Sequence, residues 1–153
     1  SGKQVQSLEA VEHYTWDPTA RRHSIGGIRS LAFSPDGKTL AVGGMAKVGN
    51  IDHLGGKALL HLFDWEKGER LHMIESDKFK GLVEHIQFHH QGKWFLAAGG
   101  DNSGFLWFVD PATGKTIHQD KAPMHVHEFQ LNETSDMVWA VGHNKIVQWE
   151  LKG

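Results

Sequence analysis

An internal repeat limits the folds open to this chain more than any other property of its sequence. The stretch FSPDGKTLAVGG at residues 33–44 returns as FHHQGKWFLAAG at residues 88–99, with Phe, Gly-Lys and the closing Gly in the same places. A weaker third copy, MHVHEFQLNETSDMVWAVGH at residues 124–143, is aligned on its phenylalanine, Phe129. Such repetition predicts one structural unit built several times, because a single unit buries too little apolar surface by itself.

Each copy has the pattern of short strands joined by tight turns. The segments are rich in β-branched, aromatic and aliphatic residues, and turn sequences such as Pro35-Asp36-Gly37 separate them. Apolar residues do not recur at the helical period, so we expect no long helix. We predict antiparallel meanders of four strands, at residues 28–33, 39–44, 58–65 and 69–74, then 83–88, 94–100, 105–110 and 115–119, then 126–131, 137–143 and 146–151 without a fourth.

The repeats resemble the WD-repeat family of β-propellers. The resemblance covers residues 27–153 and is carried by LAFSPDGKTLAVGG and by three strand endings that are degenerate forms of the family's Trp-Asp: Phe63-Asp64-Trp65, Phe108-Val109-Asp110 and Gln148-Trp149-Glu150. It implies an all-β propeller with about three blades in this chain, each a four-stranded antiparallel meander. The family's Gly-His dipeptide is replaced by Gly26-Gly27, so packing alone is expected to hold the blades.

The domain organisation follows from the repeat. We expect an N-terminal segment at residues 3–27, ending in a hairpin that completes the last blade, and then blades at residues 28–80, 81–122 and 123–153. Propellers usually have about four to eight blades, so three blades need completion. Either the chain is a fragment of a larger propeller, or copies self-associate, for example as two chains in a six-bladed ring.

Composition excludes several classes of function. The chain has no cysteine, which excludes disulfides and thiol catalysis. Its 16 basic and 18 acidic residues are interspersed and leave a net charge of −2, so a nucleic-acid partner is not expected. No apolar run approaches the roughly 18 residues of a membrane-spanning helix, so we expect no membrane insertion. The compartment, cytoplasm or periplasm, stays open.

Three motifs have structural interpretations. Gly-Lys-Thr occurs at residues 37–39 and 114–116, but neither copy has the earlier glycine or the following helix of a phosphate-binding loop. The 12 histidines form pairs rather than convergent sets, so we predict no metal and no cofactor. Tryptophans recur at equivalent strand positions, at residues 65, 107 and 149 and at residues 94 and 139, which predicts core packing.

The expected function is that of a non-catalytic protein-binding platform, whose partner is another protein or another domain of a longer parent chain. The resemblance implies that the loop at residues 45–57 lies on the face where partners dock, with contacts from Met45, Lys47, Val48, Ile51, Asp52, His53 and Leu54. An alternative is an enzyme, hydrolase or quinoprotein-like, with its site in the central channel, where Arg29, Glu84 and His125 are expected to meet. A third is an inert self-assembling fragment.

Overall fold

A computed structural model describes residues 1–153 and contains twelve strands in three antiparallel sheets, which confirms the predicted all-β class. The first sheet is formed by β1 (Tyr14–Asp17), β2 (His23–Phe33), β3 (Thr39–Met45), β4 (Lys57–Asp64) and β5 (Glu69–Lys80). The second is formed by β6 (Leu82–Phe88), β7 (Phe95–Gly100), β8 (Gly104–Val109) and β9 (Thr116–Ala122), and the third by β10 (Glu128–Leu131), β11 (Met137–Gly142) and β12 (Lys145–Glu150). One 3-10 turn, Val11–His13, precedes β1.

The second sheet lies between the other two and is apolar on both faces. Phe95 and Ala97 of β7 belong to the core against the first sheet, where they share a cluster with Leu60. The alternate residues Leu96 and Ala98 belong to the core against the third sheet. Successive side chains of a strand point to opposite faces, so a strand covered on both sides is apolar at every position. Stacking therefore holds the three sheets together, as the sequence predicted.

The turn after the first strand of each repeat is the same in all three sheets. In each repeat the amide of the residue after that strand donates to the carbonyl five residues later: Ser34 N–H to Thr39 O at 2.9 Å, His89 N–H to Trp94 O at 2.9 Å, and Asn132 N–H to Met137 O at 3.2 Å. The residue with positive φ is Gly37 at 73°, Gly92 at 73° and Ser135 at 57°. Glycine suits the first two positions because other residues rarely adopt this conformation.

This equivalence corrects the alignment of the third copy. The pairing of the first two strands in each repeat places Phe33 opposite Leu40, Phe88 opposite Phe95 and Leu131 opposite Val138. Leu131 therefore occupies the position of the two phenylalanines. Phe129 lies two residues earlier in β10. The prediction that Phe129 was the equivalent residue is wrong, because matching the aromatic residue took precedence over matching the length of the turn.

The N-terminal hairpin is joined to the first sheet. β1 pairs with the first part of β2, from Tyr14 opposite Gly26 to Asp17 opposite His23. The rest of β2 pairs with β3, so one long strand joins the hairpin to the sheet. Gly26 has φ +88°, and a Cβ there would lie 2.6 Å from His13 O, so the close approach requires glycine. β12 is an edge strand of the third sheet, and its completion by an N-terminal hairpin stays a prediction.

Candidate interaction site

The outer side of the third sheet is an uncovered apolar surface. Val138 and Ala140 of β11 are buried against the second sheet, whereas Trp139 and Val141 point away and are 40% and 42% exposed. Ile146 lies opposite Val141 on β12 and is 79% exposed. We call Trp139, Val141 and Ile146 the third-sheet outer face. These three large side chains form one contiguous apolar patch on a sheet whose other side is already packed.

The outer side of the first sheet is partly covered by the chain itself. Residues 5–13, which we call the strap, run along a groove of about 350 Å³ whose floor is formed by Phe33, Leu40, Val42, Phe63 and Trp65. The strap contributes Val5, Gln6, Leu8 and Ala10 to its lining. Leu31, which is 62% exposed, does not line the groove, and Phe33 on the groove floor is still 49% exposed. The two end sheets therefore differ in how much of the outer side is available.

The predicted partner-binding loop is held against the N-terminal hairpin. Met45 and Ile51 are buried within the chain, and Val48 and Leu54 are half-buried. The amide of Val48 donates to Thr15 Oγ1 at 3.0 Å. Of the predicted contact residues, Lys47, Asp52 and His53 are exposed, and Asp52 pairs with Arg21 at 2.8 Å.

Two histidines are enclosed where the strap meets the first sheet. His13 at the end of the 3-10 turn is 1% exposed, and His61 of β4 is 0% exposed. Their ring centroids lie 4.6 Å apart, and none of the four ring nitrogens has a hydrogen-bond partner. Glu12 lies beside them, with Oε2 at 3.9 Å from His61 Nε2 and Oε1 at 2.7 Å from Arg70 Nη1.

Burial decides the charge of this pair. It lowers the pKa of His13 to about 4, assisted by the neighbouring His61 and opposed by Glu12. Burial also lowers the pKa of His61, against the attraction of Glu12. The hydrogen bond from Arg70 lowers the pKa of Glu12, which stays ionised at neutral pH. Both imidazoles are therefore neutral at pH 7, inside a largely apolar contact.

The structure brings together two of the three channel candidates. His125 Nε2 lies 3.2 Å from Glu84 Oε1, while His125 Nδ1 lies 3.0 Å from Asp101 O. Both ring nitrogens thus face oxygen acceptors, which fixes the ring between the second and third sheets. Arg29 is exposed on β2, outside this pair.

The register of the strands also identifies the residue equivalent to Arg29 and Glu84. Arg29 lies at a register shift in the pairing of β2 with β3, and Glu84 at the same shift between β6 and β7. His127 occupies the corresponding position just before β10, and its amide donates to Val141 O. The rings of His125, His127 and His143 lie 5.0 to 5.7 Å apart. No group of three or more His, Cys, Asp or Glu is arranged to hold a metal ion. The chain contains no helix with the length and apolar character that spanning a bilayer requires.

The buried histidine pair is the feature that sequence reasoning missed. One signal was available, since His61 interrupts the apolar run ALLHLF at residues 58–63, which was already predicted to be a strand. A histidine inside such a run is expected to be buried. Nothing in the sequence pointed to His13, because the strap has no strand or helix periodicity and its position depends on tertiary contacts.

Comparison with known proteins supports the repeat. The family described as "WD domain, G-beta repeat" matches residues 16–47 and 68–107, which include β2, β3 and β6 to β7. The resemblance to WD repeats is therefore confirmed, and the third sheet lies outside the matched stretches. A comparison with curated proteins finds no match.

Solved structures support the architecture. One described as "Crystal structure of the eukaryotic initiation factor" aligns with a TM-score of 0.58 and 16% sequence identity, over 82% of this chain and 30% of that chain. At this identity the likeness shows the fold alone. The present chain thus corresponds to less than a third of the length of that solved chain.

Proposed function

We propose that this chain, which carries WD40 repeats, is a non-catalytic protein-binding platform whose third sheet stacks on the third sheet of a second copy. WD40 repeats are in general an interaction and scaffold fold, so contact with proteins is the general class of function. The observation that carries the finer proposal is the third-sheet outer face, with Trp139, Val141 and Ile146 exposed side by side.

The burial pattern explains why this face favours a partner. In the second sheet, apolar residues on both sides are covered by neighbouring sheets. The third sheet has apolar residues on both sides as well, but only the side with Val138 and Ala140 is covered. The third-sheet outer face is thus the kind of surface that is stacked on a neighbour in the second sheet. A contiguous apolar patch left exposed in this way is typical of an interaction site.

A second copy fits this face best. The contact would continue the sheet-on-sheet stacking already present twice within the chain, and the outer side of the first sheet is partly occupied by the strap. The available surface of the same kind is therefore the third-sheet outer face of another copy. Two-fold contacts of this type are the commonest in homo-oligomers.

The loop between β3 and β4 is proposed as the contact for a different protein. Its exposed residues Lys47, Asp52 and His53 present polar and charged groups, while Met45 and Ile51 hold the loop on the chain. Replacing the loop by the Asp-Asn-Ser-Gly that joins β7 to β8 should remove this contact and leave the self-association unchanged.

Light scattering at increasing protein concentration tests the self-association. We expect a mass twice the 17.1 kDa of the chain, and we expect Ile146→Lys to return it to the monomer mass. Because Ile146 is 79% exposed, the lysine can be solvated in the isolated chain and the fold should persist. The matched control is Ile117→Lys on β9, where the isoleucine is 57% exposed on the outer strand of a sheet already covered on both sides, and it should leave the dimer intact.

Two results would overturn the proposal. One is a wild-type chain that stays monomeric up to about 1 mM, where even a weak interface of about −4 kcal/mol is half occupied. The other is an equal loss of dimer in both lysine variants, because the effect would then come from added charge and not from the third-sheet outer face.

A further inference from the structure

The strap occupies a surface that a neighbouring sheet would cover in a longer stack. We infer that the strap is an acid-released cover: protonation of His13 and His61 expels it and opens the outer side of the first sheet. The release depends only on the contacts of the strap. Its consequence, that the opened side can stack on a sheet of a second copy, rests on the proposed function.

Few contacts hold the strap, and His13 is at the centre of them. Val5, Leu8 and Ala10 line the groove together with Phe63 and Trp65. At the end of the strap, His13 inserts between the sheet backbone at Gly44 and the ring of His61. At this end of the strap, Glu12 O accepts the amide of Lys47 at 3.1 Å. Outside the groove, opening this end also separates the Glu12 carboxylate from Arg70, which are 2.7 Å apart on a partly exposed surface.

Histidine is an unusual choice for such an anchor. The four ring nitrogens of His13 and His61 are buried without a hydrogen-bond partner, and leaving such groups unpaired destabilises the closed state. An apolar ring would fill the same space without that cost. What the imidazoles add is the capacity to become charged, and two positive rings 4.6 Å apart in a buried contact repel each other strongly.

The neighbouring charges do not compensate the two protonated rings. The 3-10 turn contributes one carboxylate, Glu12, which already bonds the guanidinium of Arg70 on β5. The residues of β2 and β3 that lie against His13 are Gly26 and Gly44, which carry no side-chain charge. With both imidazoles protonated, the site would hold three positive groups and one negative group, so its net charge would be positive.

The direction of the pH effect follows from proton binding. His13 has a pKa of about 4 in the closed state, against an ordinary value of 6.5 once the strap is released and hydrated. Between these values the released state binds more protons, so acid favours release. The closed state is thus fully favoured above pH 6.5 and is weakened progressively as the pH falls towards 4. Each histidine contributes up to about a tenfold change in the opening equilibrium per pH unit.

Amide hydrogen exchange by NMR between pH 7 and pH 4 tests the release, with each rate divided by the intrinsic rate at the same pH. The reporters are the amides of His13 and Lys47, which bond Ala10 O and Glu12 O when the strap is closed. We expect their protection to fall by about tenfold or more per pH unit below 6.5. The amide of Ala97, in the centre of the second sheet, should keep its protection over the same range.

Variants separate the histidine pair from general acid effects. His13→Phe with His61→Phe keeps two rings in the contact and removes the titration, so protection at Lys47 should no longer depend on pH. His85→Phe is the matched control, because burial also lowers the pKa of His85 at a distant site, on β6, and it should leave the pH dependence of the strap unchanged. If the double variant fails to fold, the single variant His13→Leu should reduce the pH dependence of protection at Lys47, because only His61 of the pair then titrates.

The outcomes distinguish this inference from the proposed function. Strap protection that does not change with pH in the wild type, or that changes equally in the double variant, overturns the inference. Because the reporters are within one chain, strap release can be measured on a monomer. Release in acid without any increase in mass would therefore contradict only the stacking of a second copy on the opened first sheet.

Discussion

In the second sheet every residue of β7 is buried, whereas in the third sheet β11 alternates between buried and exposed residues. The two strands have similar sequences, FLAAGG and MVWAVG, and both are apolar along their length. The difference therefore comes from their neighbours and not from their composition. Two sheets cover β7, but only one covers β11. A strand that is apolar at every position suits a sheet covered on both sides. The third sheet has such a strand but is covered on one side only.

Replacing one tryptophan in each of these two sheets should give the largest contrast. Trp107 of the second sheet is completely buried, and its Nε1–H donates to Thr116 Oγ1 at 2.9 Å. We expect Trp107→Ala to lower the free energy of unfolding by about 3–5 kcal/mol. Trp139→Ala, on the third-sheet outer face, should cost no more than about 1 kcal/mol in the monomer. Urea unfolding at low micromolar concentration measures both, and equal losses would contradict the comparison.

The bond between the second and third sheets should give an intermediate effect. Gln87 Oε1 accepts the amide of Leu131 at 2.9 Å, which links β6 to β10. Gln87→Ala leaves that amide without its partner, so we expect a loss of about 1–3 kcal/mol. The control Gln130→Ala removes an exposed glutamine of β10 and should change stability by less than about 0.5 kcal/mol. A loss in the control as large as that in Gln87→Ala would mean that the bond across the sheets contributes little.

Exchange of a turn residue should give the smallest effect. Gly92 and Ser135 occupy equivalent positions in the second and third sheets, both with positive φ. A Cβ at Gly92 would meet only Pro35, at 3.4 Å, so Gly92→Ser should cost about 1 kcal/mol through the backbone conformation alone. Gly49→Ser, with open space around it and no positive φ, should be neutral. Thermal unfolding of the two variants checks this, and an equal change in both would refute the backbone explanation.

The sequence predicted the strands well because each is a local pattern. The apolar run at residues 94–100 and the turns that bound it were sufficient to place a strand buried on both sides. The third repeat was misaligned by two residues because Phe129 was matched to Phe33, although the turn lengths match Leu131.

The prediction that the recurring tryptophans lie in the core holds for Trp107 but is wrong for Trp139, which is 40% exposed. A strand pattern does not tell how many sheets are present to cover it. The contact of His13 with His61 could not be predicted either, because it joins residues 48 positions apart through a segment without periodicity.

Distance measurement between spin labels tests the stacking of third sheets most directly. The chain has no cysteine, so Asn144→Cys in the exposed turn beside Ile146 and Glu66→Cys in the exposed turn between β4 and β5 each give one label per copy. We expect a dipolar coupling between copies labelled at residue 144 that disappears with Ile146→Lys, and no coupling between copies labelled at residue 66. Absence of coupling at residue 144 in the wild-type background, at concentrations where light scattering shows a dimer, would contradict the account.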